Sequence, residues 1–249
     1  MKVTAIIPTF NEEIHIEDAI KSVSFADEII VIDSFSTDRT VELAEQYDIR
    51  LIQREFDDFS SQKNFAIDQA ENDWIYLLDA DERVTPNLEV EILNALKDPK
   101  DFVGFYVYRT FYFGGRKIKY SGWQRDKVAR LFNRNFCRYN GNLVHEVIKA
   151  NGKLGFFKSK LEHYSYRGFD HYINKLNQYA WLQAEQLKRK NKKVNAFHIF
   201  VKPIARFFIH YFIRLGILDG FPGFVIAVTQ SYGVLTRFIK LWLLNHNLR

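Results

Sequence analysis

Two aspartates separated by one residue, Asp79 and Asp81, follow a run that is typical of a buried strand, residues 74–78. In an open α/β sheet, ligands bind in the crevice outside the carboxyl ends of the strands. A hard divalent cation is commonly held by one or two carboxylates together with substrate phosphates. The segment Asp79-Ala80-Asp81-Glu82 therefore indicates a metal site for a phosphorylated substrate. Alone the pattern is weak, because an acidic turn before a helix explains it better.

Strand and helix patterns alternate along the first hundred residues, and this order determines where the two aspartates lie. Short apolar strands are expected at residues 3–7, 28–32, 49–53 and 74–78, and helices at residues 12–24, 36–47, 60–70 and 86–96. The alternation predicts an α/β fold with a parallel sheet covered by helices. Polar residues that close the strands should then meet at one edge of the sheet.

The second part of the chain has a different pattern, in which predicted strands come first and helices follow. Strands are expected at residues 103–109, 127–132, 143–149 and 158–166, and helices from residue 169 onward. A single cysteine, Cys137, excludes an internal disulfide and fits a reducing compartment. We expect no signal peptide and no membrane-spanning helix, because no run of about 18 apolar residues occurs.

Charge is divided unevenly along the chain. Residues 1–100 hold 9 Lys and Arg against 23 Asp and Glu, whereas residues 101–249 hold 26 against 7. A basic second half predicts an anionic partner, and nucleic acid, an anionic membrane and a phosphorylated acceptor all qualify. No familiar nucleic-acid-binding motif accompanies the charge, so nucleic acid is not expected as a partner.

Aromatic and basic residues are interleaved near the C-terminus, in residues 196–215 and 224–244. Helices of this composition either pack on a catalytic core or lie in a membrane interface with their basic side chains at anionic headgroups. The aromatic density favours the membrane interface. The fold class expected is thus α/β with a C-terminal helical, membrane-associating extension.

Four segments at or near the strand ends carry a resemblance: residues 6–13, residues 30–38, Gln62-Lys63-Asn64 and residues 79–82. Together they resemble family 2 glycosyltransferases with the GT-A fold, and more narrowly the bacterial lipopolysaccharide-core glucosyltransferases. That group's pattern continues in Arg130-Leu131-Phe132, Val144-His145-Glu146, His163-Tyr164-Ser165-Tyr166 and Leu218-Asp219-Gly220. One departure, the absence of a proline after Trp123, bears on the acceptor more than on the chemistry.

The resemblance implies a nucleotide-sugar donor site and a divalent ion, Mg²⁺ or Mn²⁺. Asp79 would contact ribose or a metal-bound water, Asp81 would bind the ion that bridges the donor phosphates, and His163 would complete its shell. Alternatives from chemistry alone are a structural His163, a solvated helix lysine at Lys63 and an Asx turn at Asp33. The implied donor contacts are Pro8, Thr9, Asn11, Glu12, Asp33 (base or ribose) and Lys63 (diphosphate or base).

The acceptor hydroxyl needs a base, because it loses a proton as it attacks the anomeric carbon. Glu146 is the candidate, with Asp126 as the competing choice beside Trp123, which could stack on a sugar ring. His145 would orient the glutamate or bind the acceptor, and Arg130 would help to hold phosphate. A strand arginine that only covers a surface is the alternative for Arg130.

The resemblance therefore implies an inverting hexosyltransferase that acts from a UDP-sugar, UDP-glucose first, on a lipid-linked cell-surface glycan such as a lipopolysaccharide core. It would work at the cytoplasmic face of the inner membrane. The expected domains are residues 1–166, catalytic, with a Rossmann-like nucleotide-sugar half (1–98) and an acceptor half (99–166), and the helical residues 167–249.

Two other functions remain possible on the sequence. A nucleotidyltransferase shares the need for a metal and a diphosphate, but it usually carries a Gly-rich basic loop near strand one, and residues 8–13 hold no glycine and two acids. A sugar-nucleotide-binding or membrane-adaptor protein that has lost catalysis is the non-enzyme alternative. The pair Asp79 and Asp81, with Glu146, argues against it.

Overall fold

The computed structural model describes residues 1–123, 126–140, 147–164 and 168–248, apart from the side chain of His171. The chain divides into two compact units. Residues 1–109 and 126–163 form the first, which we call the catalytic unit, and residues 110–125 and 164–249 form the second, the C-terminal unit. Each unit is described by itself below.

Four parallel strands open the catalytic unit, as the alternation of the sequence predicts. They are β1 (Val3–Thr9), β2 (Glu28–Asp33), β3 (Arg50–Gln53) and β4 (Trp74–Leu77), and they lie in the order β3-β2-β1-β4. The helices that connect or follow them are α1 (Ile16–Ser22), α2 (Thr40–Ala44), α3 (Phe59–Gln69) and α4 (Pro86–Lys97). The α/β prediction is confirmed.

Both faces of this sheet are buried, which explains why its strands are almost continuously apolar. On one face Ile6, Ile30 and Ile75 pack with α3, and on the other Ala5 and Ile7 pack with α1 and α4. Polar side chains are therefore left to the strand ends and the loops beyond them. Thr85 caps α4 by accepting a hydrogen bond from the Leu88 amide (3.3 Å), as expected.

Seven further strands follow β4 in the described part of the chain, and most of them continue its sheet. These are β5 (Glu82–Arg83), β6 (Phe102–Phe113), β7 (Arg116–Ile118), β8 (Lys127–Asn133), β9 (Cys137–Tyr139), β10 (Ile148–Ala150) and β11 (Lys153–His163). The order beyond β4 is β8-β6-β11-β5, and β4–β8, β6–β8 and β11–β5 are antiparallel. Strand β9 pairs with β10 in a separate two-stranded sheet.

The C-terminal unit is mainly helical. Helix α5 (Phe169–Arg189) is followed by a π-helical segment (Phe197–Val201), α6 (Lys202–Phe208), a second π-helical segment (Ile209–Ile213), a 3₁₀ turn (Gly216–Asp219) and α7 (Phe221–Asn245). Within the described residues, none of the helices combines the length and the apolar content that crossing a bilayer requires.

Candidate active site

The loops that follow β1 and β2 are fastened to each other at the carboxyl edge of the parallel sheet. The Asn11 amide donates to Ser36 Oγ (2.8 Å), and Asn11 Oδ1 accepts from the Thr37 amide (2.8 Å). The Glu12 amide donates to Thr40 Oγ1 (2.7 Å). Asn11 has a φ of 54°, a conformation that asparagine tolerates better than most residues. The two loops that are predicted to contact the donor are therefore held together by hydrogen bonds.

Asp33, the last residue of β2, is fully buried. Its carboxylate accepts hydrogen bonds from the Ser36 amide (2.9 Å), Ser36 Oγ (2.5 Å) and Gln53 Nε2 (3.3 Å). The local turn that the sequence left open as an alternative is therefore present. In this structure Asp33 holds the loop after β2, and a direct contact to a base or ribose stays a prediction.

Thr9 and Pro8 end β1 beside this loop pair. Thr9 is 5% exposed, and its hydroxyl has no hydrogen-bond partner among the described residues. A buried hydroxyl without a partner is uncommon, since buried polar atoms are usually satisfied. Thr9 is thus equipped to meet a polar ligand group at the strand end.

Asp79 lies at the carboxyl end of β4 between two cationic side chains. Its Oδ1 is 3.7 Å from Lys63 Nζ, and its Oδ2 accepts a hydrogen bond from Arg130. Burial by itself would raise the pKa of Asp79, but Arg130, Lys63 and Arg109 outweigh it and hold that pKa well below its usual range. The carboxylate is therefore ionised and positioned by two cations.

Lys63 departs from the solvated helix lysine that chemistry alone left open. It is 6% exposed, with its ammonium 5.2 Å from the ring centre of Tyr139 and 5.9 Å from that of Phe59. The structure brings Lys63 from α3 to Asp79 from the end of β4, as the donor-site prediction requires. A buried lysine beside one carboxylate suits recognition of a diphosphate as a point charge.

Arg130 is almost fully buried, so the alternative of a surface arginine is wrong, and its contact to a phosphate stays a prediction. Its side chain is 3% exposed, and its guanidinium donates to Glu82 Oε1 (2.7 Å) as well as to Asp79. Arg109 extends the chain of charges, lying 3.4 Å from Glu82 Oε1 and donating from Nε to Asp126 Oδ2 (2.6 Å). Cations and anions thus alternate from Lys63 to Asp126.

Asp126, the competing base candidate, is committed to Arg109 in this network. Both Nε and a terminal nitrogen of the Arg109 guanidinium contact the Asp126 carboxylate. The pairing leaves Glu146 as the preferred candidate. Glu146 and His145 lie outside the described residues, so their placement stays a prediction.

Asp81 and His163 meet on neighbouring elements. Strand β5 pairs antiparallel with the end of β11, with Glu82 opposite His163, and this register brings His163 Nε2 to 3.2 Å from Asp81 Oδ1. The predicted trio of metal ligands is not assembled, because Asp79 is engaged by cations. In the described part of the chain, no group of three or more His, Cys, Asp and Glu side chains could hold a metal.

The pair of Asp81 and His163 still fits a divalent ion. Mg²⁺ is usually bound through one or two carboxylates with substrate phosphates and waters. Carboxylates also suit Mn²⁺, and imidazole is a softer ligand than a carboxylate. Asp81 retains 19% exposure and His163 11% in their side chains, so each has a solvent-facing side. Two protein ligands with open positions suit an ion that arrives with its diphosphate.

Glu82 and Arg109 are the functional residues that the sequence reasoning missed. Glu82 Oε2 also accepts a hydrogen bond from the Asp79 amide (3.2 Å), so a fully buried carboxylate orients the turn that carries both aspartates. The sequence signal that was available for Glu82 is its position directly after Asp81. A strand of only two residues, β5, has no periodicity that would have revealed its burial.

Trp123, predicted to stack on a sugar, belongs to the C-terminal unit. Its ring makes edge contacts with Phe111 (5.3 Å between centroids) and Tyr172 (6.2 Å). Tyr172 is buried, and its hydroxyl accepts a hydrogen bond from Gln230 Nε2 (3.2 Å). Trp123 is therefore part of an aromatic cluster, and its contact to an acceptor sugar stays a prediction.

Comparison with known proteins identifies the class. Residues 4–164 match the model of Glycosyl transferase family 2, and the chain belongs to that family. It is an enzyme of the glycosyltransferase class with an α/β, GT-A-type fold.

Particular relatives extend along almost the whole chain. An uncharacterized glycosyltransferase of Rickettsia felis is 31% identical over 252 residues, which cover 96% of this chain and 89% of the relative. The lipopolysaccharide core biosynthesis glycosyltransferase LpsC of Rhizobium meliloti is 30% identical over 246 residues, which cover 95% and 90%. A solved structure of glucosyl-3-phosphoglycerate synthase from Mycobacterium tuberculosis, with Mn²⁺, UDP and phosphoglyceric acid, gives a TM-score of 0.38 at 24% identity and covers 45% of this chain and 44% of that one.

Proposed function

We propose that this glycosyltransferase moves a hexose, with inversion, from a UDP-sugar to a lipid-linked cell-surface glycan such as a lipopolysaccharide core. UDP-glucose is the first donor to test. The likeness to LpsC over 95% of the chain supports the acceptor class. The enzyme would act at the cytoplasmic face of the inner membrane. Residues 1–98 would bind the donor, residues 99–166 the acceptor, and residues 167–249 would form the helical extension.

The observation that carries the donor proposal is the cluster at the carboxyl end of β4. Lys63 and Arg130 hold Asp79 on one side of the turn, and His163 holds Asp81 on the other. Such strand ends are where open α/β sheets bind their ligands. The fastened loops after β1 and β2 supply the wall for the base and ribose, with Pro8, Thr9, Asn11, Glu12 and Asp33 as the proposed contacts.

The chemistry places negative charge on the departing diphosphate as the glycosidic bond breaks. A divalent ion held by Asp81 and His163 would neutralise part of this charge as a Lewis acid. Lys63 adds a fixed positive charge beside Asp79, and the buried network keeps both aspartates in place before the substrate arrives. Glu146 would take the acceptor proton on the opposite side of the sugar, a step typically worth about 10²–10⁴-fold in rate.

The test uses the full chain with a panel of nucleotide-sugars, and it measures UDP release with and without Mn²⁺ or Mg²⁺. We expect release from a UDP-hexose that depends on the metal. Glu146→Gln should leave donor affinity near the wild-type value and slow turnover by about 10²-fold or more. Glu45→Gln, at an exposed position on the surface, is the matched control and should behave as wild type.

Other outcomes are equally informative. Donor binding without any UDP release would favour the catalytically inactive adaptor over the enzyme. Unchanged turnover in Glu146→Gln would remove this residue from the base role, and full activity in excess chelator would reject the metal.

A further inference from the structure

One segment of the C-terminal unit exposes an unusually large number of large apolar side chains. It runs over residues 197–224, from the first π-helical segment to the first turn of α7. Its members are large apolar side chains with exposed fractions from 36% to 75%: Phe197, Phe200, Val201, Ile204, Phe208, Ile209, Phe212, Ile213, Leu215, Ile217, Leu218, Phe221 and Phe224. We call these thirteen residues the exposed apolar face.

The helical part of this face forms a single stripe. Phe200, Ile204, Phe208 and Phe212 recur every four residues and are exposed. His198, Pro203 and His210 of the same helical segments are buried. In a regular α-helix a spacing of four drifts by about 40° at each step. The π-helical segments on either side of α6 have more residues per turn, and they offset this drift. The backbone irregularity therefore keeps the four side chains in line.

The size of the face calls for a partner. Phenylalanine side chains bury about 150–250 Å² each when covered, so the six of this face, exposed by about half, amount to roughly 600 Å², and the seven aliphatic side chains add to this area. The largest apolar patch of a typical monomer is only about 300–600 Å², and larger patches mark sites of interaction with proteins or membranes.

The charge of the C-terminal unit favours an anionic bilayer as the partner of this face. Within residues 196–224, Arg214 is the one exposed charged residue, and Asp219 turns its carboxylate to the Lys119 amide (2.9 Å) and Ser121 Oγ (2.9 Å). The C-terminal unit as a whole contains 17 Lys and Arg residues against 3 Asp and Glu. A second copy would bring an equally basic unit close to this one, whereas an anionic bilayer offers both an apolar interior and negative headgroups.

A cluster of lysines adjoins the start of the face along the chain. Lys188, Lys192 and Lys193 line a cavity of about 650 Å³ together with Trp242 and His246. Lys192 and Lys193 are exposed and lie five and four residues before Phe197. Lysines that border an apolar stripe are the arrangement that meets lipid phosphates when the stripe enters a membrane.

We propose that the exposed apolar face lies flat in the headgroup region of an anionic bilayer, with residues 197–213 parallel to the membrane plane and the lysine cluster at the lipid phosphates. The sequence predicts a membrane interface for residues 196–215 and 224–244, and the proposal narrows it mainly to the first of these segments. Much of α7 packs internally, because Val234, Phe238 and Leu241 are buried in a cluster with Ala184 of α5. The proposal rests on the proposed function only in that a lipid-linked acceptor explains why the enzyme would dock on a membrane.

The experiment is co-sedimentation of the full chain with vesicles. Vesicles of phosphatidylcholine mixed with phosphatidylglycerol should bind the protein, and phosphatidylcholine vesicles should bind it more weakly. Ile213→Asp combined with Phe221→Asp, both 75% exposed, should weaken binding to the mixed vesicles by about tenfold or more. Val90→Asp combined with Phe136→Asp makes the same charge change at exposed apolar sites of the catalytic unit, and it should bind as wild type.

A second measurement reports the orientation. Cys137 is buried, so a polarity-sensitive dye attached at Ile204→Cys reports that position. Its emission should shift to the blue on mixed vesicles, and the same dye at Val90→Cys should not shift. A dye at Ile204→Cys that stays in water while the protein sediments with vesicles would overturn the proposed orientation.

Two results would overturn the docking itself. One is unchanged vesicle binding in the Ile213→Asp and Phe221→Asp variant. The other is a wild-type chain that ignores vesicles and dimerises in analytical ultracentrifugation through a contact that this variant abolishes. A failure of the proposed function can be distinguished from a failure of the docking proposal. In that case UDP release would be missing while vesicle binding persists.

Discussion

Arg130 and Glu82 form a buried ion pair beneath the turn that carries Asp79 and Asp81. The guanidinium lies 2.7 Å from Glu82 Oε1, and the two side chains are 3% and 0% exposed. Both side chains are thus almost completely buried. The Arg130 guanidinium donates a hydrogen bond to the Asp79 carboxylate, and the Glu82 carboxylate accepts one from the Asp79 amide. The pair therefore acts on the site by holding Asp79 in place.

Replacement of Arg130 should be costly to stability. Arg130→Met removes a cation from two carboxylates, and loss of one partner from a buried pair typically costs about 3–5 kcal/mol. Arg109 still lies 3.4 Å from Glu82, so we expect a loss near the lower end of that range. Urea unfolding followed by circular dichroism measures it.

The control for this prediction is an arginine of the same unit on the surface. Arg138 pairs with Asp68 at 3.0 Å, with 42% and 61% side-chain exposure, and such pairs contribute about 0–1 kcal/mol. Arg138→Met should therefore change the free energy of unfolding by less than about 1 kcal/mol. Equal losses in the two variants would mean that the buried network does not stabilise the fold as we describe.

Asp79 should make the stability of the protein depend on pH. Its pKa is lowered in the folded state by Arg130 and Lys63, against the effect of burial. A depressed folded-state pKa contributes stability that is present above the unfolded-state value near about 3.9 and is lost as the pH falls toward the folded value. Asp79→Asn removes the titration, so the stability gap between wild type and variant should narrow as the pH falls from about 6 to about 3. A gap that stays constant would contradict the lowered pKa.

Sequence patterns were sufficient for the parallel half of the sheet because its strands are apolar on both faces. Residues 28–32 and 74–78 were expected as strands, and the structure has Glu28–Asp33 and Trp74–Leu77. Alternation of strands and helices then placed Asp33 and Asp79 at the same edge without any knowledge of contacts. The motif at residues 79–82 was found for the same reason.

The buried charges could not be read in the same way. Lysine and arginine are almost never fully buried unless paired, so on the sequence alone an exposed side chain stays open as the alternative for both Lys63 and Arg130. Their partners come from other elements: Lys63 lies on α3, Arg130 on β8 and Asp79 after β4. Only tertiary pairing of these elements identifies the network. The π-helical segments that align Phe200 with Phe212 likewise leave no signature in hydrophobic periodicity.

Asp81 should be needed for metal-dependent turnover and not for folding. Asp81→Ala removes the carboxylate next to His163 and should reduce UDP release by about 10²-fold or more, with little remaining response to Mn²⁺. Circular dichroism should be unchanged. Asp73→Ala is the control, because this aspartate is 58% exposed and pairs with Arg134 at 3.3 Å on the surface. Turnover that stays metal-dependent in Asp81→Ala would assign the ion to other ligands.

His210 should give the C-terminal unit a pH dependence of its own. The residue is 2% exposed, and the Ser121 carbonyl oxygen lies 2.9 Å from its Nδ1, while Arg214 approaches Nε2 at 3.2 Å. Burial, together with the positive charges of Arg214 and Arg206, lowers the pKa of His210 to about 4. The neutral imidazole therefore donates from Nδ1 and accepts from Arg214.

The sign of the effect follows from linkage. Between the unfolded pKa near 6.5 and the folded value of about 4, the unfolded chain binds a proton that the folded protein does not, so stability rises with pH across this window and falls on acidification. At about 1.4 kcal/mol per pH unit, the loss across the whole window is at most on the order of 3 kcal/mol. His210→Gln should flatten this slope, measured as the urea midpoint between about pH 7 and about pH 4.5. His246→Gln, at an exposed position, should keep it, and a wild-type slope in His210→Gln would show that this buried imidazole is not the group that titrates.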